Sequence, residues 1–284
     1  MKKIVTTITF LAVAIITVSA QNIAPRDNFL WDIDYYNPAV VMKPNGIYTD
    51  FYGRYDINKI KNVYVNPLDL SAETYIVRDD HHWQASLAHD GLSYIDAAAF
   101  NVAYSHLFVF GKESQHHISI GGRVTLGYGR IDYSKLDYGQ EGYKIMVRPD
   151  IDLGIEYRYK FFHTGICVKN VLSLPLKDNG MTYFRYPRAC IWHMLFDVNI
   201  RDKVYLTPFM ALGMNQNVFL DLGFGMRFLK VCRFNYSFHG PVLSHNLGLG
   251  FDIAKRLHIG AAYCFSPTHN TSGVTVRLSV KIAD

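Results

Sequence analysis

The sequence predicts an all-β protein: a transmembrane antiparallel up-and-down β-barrel of about fourteen strands, with twelve as the lower count. Three observations carry this reading: strands that alternate apolar and charged residues, an export signal ahead of them, and a heavy aromatic load. Residues 150–160 place Asp150, Asp152, Glu156, Arg158 and Lys160 on one parity, against Ile151, Leu153, Ile155, Tyr157 and Tyr159 on the other. A period of two sends the charges to one face of a strand and the apolar side chains to the opposite face. Tyr and Phe number 20 and 18; aromatics favour strands and form the interfacial girdles of membrane barrels.

The export signal comes first in the chain. Lys2 and Lys3 precede an apolar run from Ile4 to Val18, closed by Ser19 and Ala20 before Gln21. A positive start, a short apolar core and small residues before the cut predict a signal peptide over 1–20. The run is shorter than the roughly 20 residues of a spanning helix. Residues 21–45 are then expected as an N-terminal periplasmic or plug segment, and 46–284 as the outer-membrane barrel. Without its first 20 residues the chain keeps 27 basic against 24 acidic residues. That slight excess, with no basic run, gives no reason to expect a nucleic-acid partner.

The strands are clearest in the second half. Residues 116–130 set Ile118, Ile120, Val124, Leu126 and Tyr128 against Ser119, Arg123 and Thr125. Residues 217–228 set Val218, Leu220, Leu222, Phe224, Met226 and Phe228 against Asn217, Asp221 and Arg227. Residues 246–253 oppose Leu247, Leu249, Phe251 and Ile253 to Asn246 and Asp252, with glycines between. Residues 256–265 and 273–282 carry Arg256 and His258, then Arg277 and Lys281, in their polar slots. These lengths suit the roughly 9–11 residues of a tilted spanning strand. The stretch 46–110 is the least regular.

Connections alternate in length. Brief turns are expected near 111–115, 160–161, 199–203, 229–230 and 254–255, and longer connections at 131–149, 170–187, 240–244 and 266–272, with 213–216 on that side a short exception. Short turns on one side mark the periplasmic end of an outer-membrane barrel. Followed to Asp284, the alternation sets both termini in the periplasm and makes the strand number even.

Magnitude decides which face meets lipid. An Arg or Lys on the lipid side near the midplane costs about 2–4 kcal/mol. Turning Arg123, Arg158, Arg227 and Arg277 outward together would consume a whole domain's stability, about 5–15 kcal/mol. The expected lumen charge network is therefore Arg123, Asp150, Asp152, Glu156, Arg158, Lys160, Asp221, Arg227, Asp252, Arg256, Arg277 and Lys281. Its signs are mixed, which suits a paired structural network better than a one-sign selectivity ring. A water-soluble sandwich or lipocalin-like barrel shares the parity but not the strand number and aromatic load.

No catalytic set is legible: there is no Gly-x-Ser-x-Gly elbow, no His-Glu-x-x-His and no phosphate loop. Neither a metal nor a cofactor is expected. His81-His82 and His116-His117 are strand neighbours that point to opposite faces and cannot chelate as pairs. Cys167, Cys190, Cys232 and Cys264 lack metal or redox spacing and read as small strand residues.

At Tyr36-Asn37-Pro38-Ala39 the chain begins to resemble the PorP/SprF family of the Bacteroidetes. The likeness continues through 132–136 (Asp-Tyr-Ser-Lys-Leu), Asp152 to Arg158, Phe161 to Val171 and Ala262 to Ser266. The order and spacing of these elements carry it. The chain departs from the family at 56–81 and in ending Lys281-Ile282-Ala283-Asp284 rather than on an aromatic residue. The resemblance implies a non-enzymatic outer-membrane component of the type IX secretion and gliding machinery. It would anchor a periplasmic complex or support secretion of a partner surface protein. Implied partners are periplasmic lipoprotein or ring proteins of that machinery, or a secreted adhesin, with outer-membrane lipid around the barrel. The alternative is a passive channel for a small or hydrophobic solute. Pro38 fixes its own φ and biases Asn37 away from helix, so the motif reads as a rigid turn ahead of the first strand.

Overall fold

The computed structural model describes residues 33–57, 68–92, 95–111, 115–135, 142–178, 181–184, 187–200, 203–214, 218–240, 243–253, 256–267 and 271–284. The expected signal peptide lies outside the described residues. A single helical turn, α1 (Ile33–Tyr36), leads into the strands. These are β1 (Gly46–Asp56), β2 (Leu68–Arg78), β3 (His81–Leu92), β4 (Ile95–Phe110), β5 (His116–Asp132), β6 (Tyr143–Tyr159) and β7 (Phe162–Lys169). They continue as β8 (Leu176–Asp178), β9 (Met181–Phe184), β10 (Ala189–Phe196), β11 (Val198–Ile200), β12 (Val204–Met214) and β13 (Val218–Phe228). The last four are β14 (Cys232–His239), β15 (Ser244–Ile253), β16 (Leu257–Ser266) and β17 (Thr271–Ala283).

Fourteen of them close a ring. β1 to β7 follow one another, β7 pairs with β10, β10 with β12, β12 to β17 run on in order, and β17 returns to β1. Every pairing in the ring is antiparallel, from Tyr48 opposite Lys281 at the closure to Arg123 opposite Asp152 in the β5–β6 pair. β11 adds three residues beside β12, and β8–β9 form a separate hairpin. The architecture is thus an up-and-down barrel. No helix among the described residues is long and apolar enough to cross a membrane.

Burial follows parity with the sense expected for lipid. On β6 Asp152 and Glu156 are 4% and 1% exposed, whereas Leu153 and Ile155 are 54% and 45% exposed. Arg123 on β5 is buried between the exposed side chains of Ile120 and Val124. A continuous outer belt of Leu, Ile, Val and Phe around a charged interior is an inverted soluble protein, stable only where hydrocarbon replaces water.

The β5–β6 connection differs from expectation. The pairing runs to Asp132 opposite Tyr143, so β5 ends and β6 begins inside the stretch 131–149 expected as a loop. Both strands have 17 residues, more than spanning requires, and project beyond the hydrocarbon. Alternation persists there, with Tyr143, Ile145 and Val147 outward and exposed. Connections 79–80, 111–115, 160–161, 197–203, 229–231 and 254–256 lie at one end of the barrel, together with the start of β1 and the end of β17. The ends of β1, β3, β5, β7, β12, β14 and β16 lie at the other.

Candidate functional site: the lumen and its short-turn mouth

The segment from Ile33 to Asn45 packs against the inward faces of β5, β6, β7, β10 and β12. Its apolar side chains, Ile33, Tyr36 and Val40, form the interior cluster with Ala189, Ile191, Leu195, Phe209 and Ala211. This explains why β10 is apolar on both faces: its inward side chains meet protein, not water.

The Tyr36-Asn37-Pro38-Ala39 turn is built into the wall. Asn37 is fully buried. Its amide Nδ2 donates to the Ile155 carbonyl at 3.2 Å, and its Oδ1 accepts from the Ala39 backbone N–H at 3.0 Å. Pro38 offers no N–H, so the turn presents carbonyls inward without an orphan donor there. Two glycines permit the approach. A Cβ on Gly154 would overlap Asn37 Oδ1, and one on Gly121 would overlap the Pro38 carbonyl.

Three cations donate to backbone carbonyls along the segment 34–41. Arg123 donates from Nη1 to the Tyr35 carbonyl and from Nη2 to the Asp34 carbonyl, both at 2.6 Å, with Asp152 Oδ2 3.4 Å away. Arg158 donates to the Val41 carbonyl at 2.5 Å and pairs with Glu156 at 2.8 Å. Lys169 donates to the Tyr35 carbonyl at 3.1 Å and sits 3.9 Å above the Tyr35 ring.

Asp150 and Asp152 also organise the loop beyond β7, accepting from the Leu172 and Asn170 backbone N–H groups at 3.1 and 2.8 Å. Asp150 lies 3.6 Å from Arg148. Around the remaining wall, Asp221 pairs with His239, and Asp252 pairs with Arg233 at 2.8 Å and with His258 at 2.9 Å. Arg227 lies 4.7 Å over the Tyr205 ring. Arg277 meets Asp50 at 2.6 Å, and Lys43 reaches the same carboxylate at 2.6 Å. Burial pulls the Lys43 ammonium below its ordinary pKa, against the opposing pull of Asp50.

Three of the predicted charges stand at the short-turn rim. Lys160 occupies the β6–β7 turn with φ of 52°, exposed, its ammonium 5.2 Å over the Tyr159 ring. Arg256 sits exposed at the barrel end, 3.7 Å from Asp284. Lys281 bonds Asp284 at 2.5 Å at the same end. Turn geometry moves Lys160 off the strand parity, since a residue with positive φ no longer follows the pleat. Asp50, Lys43 and Lys169 were missed in the sequence. Lys169 shares its parity with buried His163 and Cys167, which was the readable signal; Asp50 lies in the irregular first quarter of the barrel. All four cysteines are free thiols.

Between Pro38–Pro44 and the wall formed by β12 to β17 and β1 to β4 lies a cavity of about 1060 Å³ that reaches the short-turn rim. Lys43, Arg227, Lys230, Arg233, Arg256, Arg277 and Lys281 line it, with the carboxylates of Asp34, Asp197 and Asp252. Asp50 pairs with Lys43 and Arg277, and Asp284 with Arg256 and Lys281, so the mouth is lined by charges of both signs, most of them already paired.

These features define a class: a fourteen-stranded membrane β-barrel whose N-terminal segment is tied into its lumen. Within that class the chain belongs to the family described as type IX secretion system membrane protein PorP/SprF, whose model matches residues 18–282. No curated protein matches the chain. The barrel is similar to the Ralstonia pickettii toluene transporter TbuX, at 11% identity and a TM-score of 0.57, covering 87% of this chain and 92% of that one. It is similar also to the CymD monoaromatic hydrocarbon channel (9% identity, TM-score 0.58, covering 88% and 91%) and to Omp33 of Acinetobacter baumannii (7%, 0.55, 84% and 98%). At these identities the likeness is one of fold.

Proposed function

We propose that this type IX secretion membrane protein is a non-enzymatic scaffold of the outer membrane, with its termini and short turns in the periplasm. It anchors a periplasmic lipoprotein or ring complex of the machinery, or supports export of a partner adhesin. The observation that carries this reading is the capture of Asp34, Tyr35 and Val41 carbonyls by Arg123, Lys169 and Arg158. Cations spent on the protein's own backbone serve to fix a segment rather than to select a solute. The mouth on the termini side supplies a charged, mixed-sign surface for a partner.

Deletion of the gene is expected to abolish export of type IX cargo or surface display of one adhesin. An unchanged set of secreted and surface proteins contradicts the proposal. The cavity at the mouth favours the competing reading, a passive channel for a small or hydrophobic solute. Planar-bilayer recording separates the two: the scaffold predicts a silent bilayer, and the channel predicts stable conductance or a solute-uptake defect in the deletion strain.

A further inference from the structure

At the short-turn rim the β2–β3 turn brings three metal-ligating side chains together on the outer wall. His81 and His106 are directly opposed across β3 and β4, and both lie on the outward parity, beside exposed Trp83 and Phe108. Their Nε2 atoms converge on one carboxylate: His81 Nε2 stands 3.4 Å from Asp80 Oδ1 and His106 Nε2 stands 3.7 Å from Asp80 Oδ2. The three donor atoms lie within 4.8 Å of one another. Donors about 2.0–2.1 Å from a tetrahedral ion stand a little more than 3 Å apart, so small side-chain rotations complete the set.

The surroundings hold these donors in place. Asp79 adopts a positive φ of 50° and is bonded on both sides by Asn45, whose Oδ1 accepts from the Asp79 backbone N–H and whose Nδ2 donates to Asp79 Oδ1, each at 3.2 Å. The Asp80 carbonyl accepts from the Leu107 N–H at 2.8 Å. His81 Nδ1 is bonded to the Tyr104 hydroxyl at 2.8 Å. A hydroxyl can donate or accept, so Tyr104 serves the tautomer of His81 that leaves Nε2 free to ligate. Metal-bound histidines characteristically have such an outer partner on the second ring nitrogen.

We propose that Asp80, His81 and His106 form a binding site for a zinc-type divalent transition-metal ion at the short-turn rim. Two imidazoles and one carboxylate suit such an ion better than calcium or magnesium, which take oxygen ligands. Three protein ligands leave the fourth position to water or to a donor from a docked protein. The sequence expectation of no metal rested on His neighbours within one strand, and this set is assembled across two strands and a turn.

The test is titration of zinc into the folded, tag-free barrel in detergent against a chromophoric chelator, with heat-shifted electrophoretic mobility as the check on folding. One equivalent is expected to bind, with loss of affinity of about tenfold or more in His106→Ala, in Asp80→Asn and in Tyr104→Phe. His116→Ala, which alters an outer-wall histidine bonded to Tyr157 instead, is expected to leave binding unchanged. Equal binding by the wild type and a folded His81→Ala/His106→Ala double variant, or no binding by either, overturns the proposal.

Discussion

Asn37 has no solvent exposure and spends both halves of its amide, one on the Ile155 carbonyl and one on the Ala39 N–H. Asn37→Ala is therefore expected to cost about 1–3 kcal/mol, the penalty for an unsatisfied buried group, read as a lower midpoint of urea unfolding from lipid vesicles. Arg123→Ala exposes more: it strips donors from two carbonyls and leaves Asp152 without its cation. A loss of about 3–5 kcal/mol is expected, and limited proteolysis should then cut the N-terminal segment while the barrel keeps its heat-shifted mobility. A segment equally protected in the variant contradicts the assigned grip. At the rim, burial acts to raise the Asp197 pKa, but hydrogen bonds involving His163 and Thr207 outweigh it and hold the carboxyl below its ordinary value. A depressed carboxylate contributes stability above its unfolded value near 3.9, lost as pH falls through the folded value. Asp197→Asn should accordingly weaken the acid sensitivity of unfolding below about pH 4; an unaltered profile contradicts this.

At the scale of the element, the parity of β5, β6, β13 and β15–β17 was readable because charged and apolar residues alternate without interruption. Leu153→Arg, outward on β6 and 54% exposed, should cost about 2–4 kcal/mol in vesicle refolding; a neutral result would mean that this face does not meet lipid. β10 was harder to read. Its sequence, Ala-Cys-Ile-Trp-His-Met-Leu-Phe, is apolar on both parities apart from His193 because its inner face packs on Ile33, Tyr36 and Val40, a contact no local window contains. The β5 and β6 extensions past the hydrocarbon were read as loop because the spanning length was taken as the strand length, although Tyr143, Ile145 and Val147 keep the alternation. The network members on regular strands were legible as a parity class. Their partners were not: Asp50 pairs with Arg277 from 227 residues away, and backbone carbonyls of the segment 34–41 leave no mark in a pattern of side chains.

For the molecule as a whole, an outer apolar belt and an interior of paired charges make the barrel a membrane body, and the tied N-terminal segment makes one side of its lumen solid. The charged cavity opens at the mouth that carries both barrel ends. The scaffold account turns on which end meets the secretion machinery. Photo-cross-linking in living cells tests it most directly, with the reactive residue placed at Lys230 on the short-turn rim or at Leu243 on the opposite end, both exposed. Adducts to periplasmic type IX components at position 230, and none to them at 243, are the predicted result; such adducts only at 243, or at neither position, would contradict it.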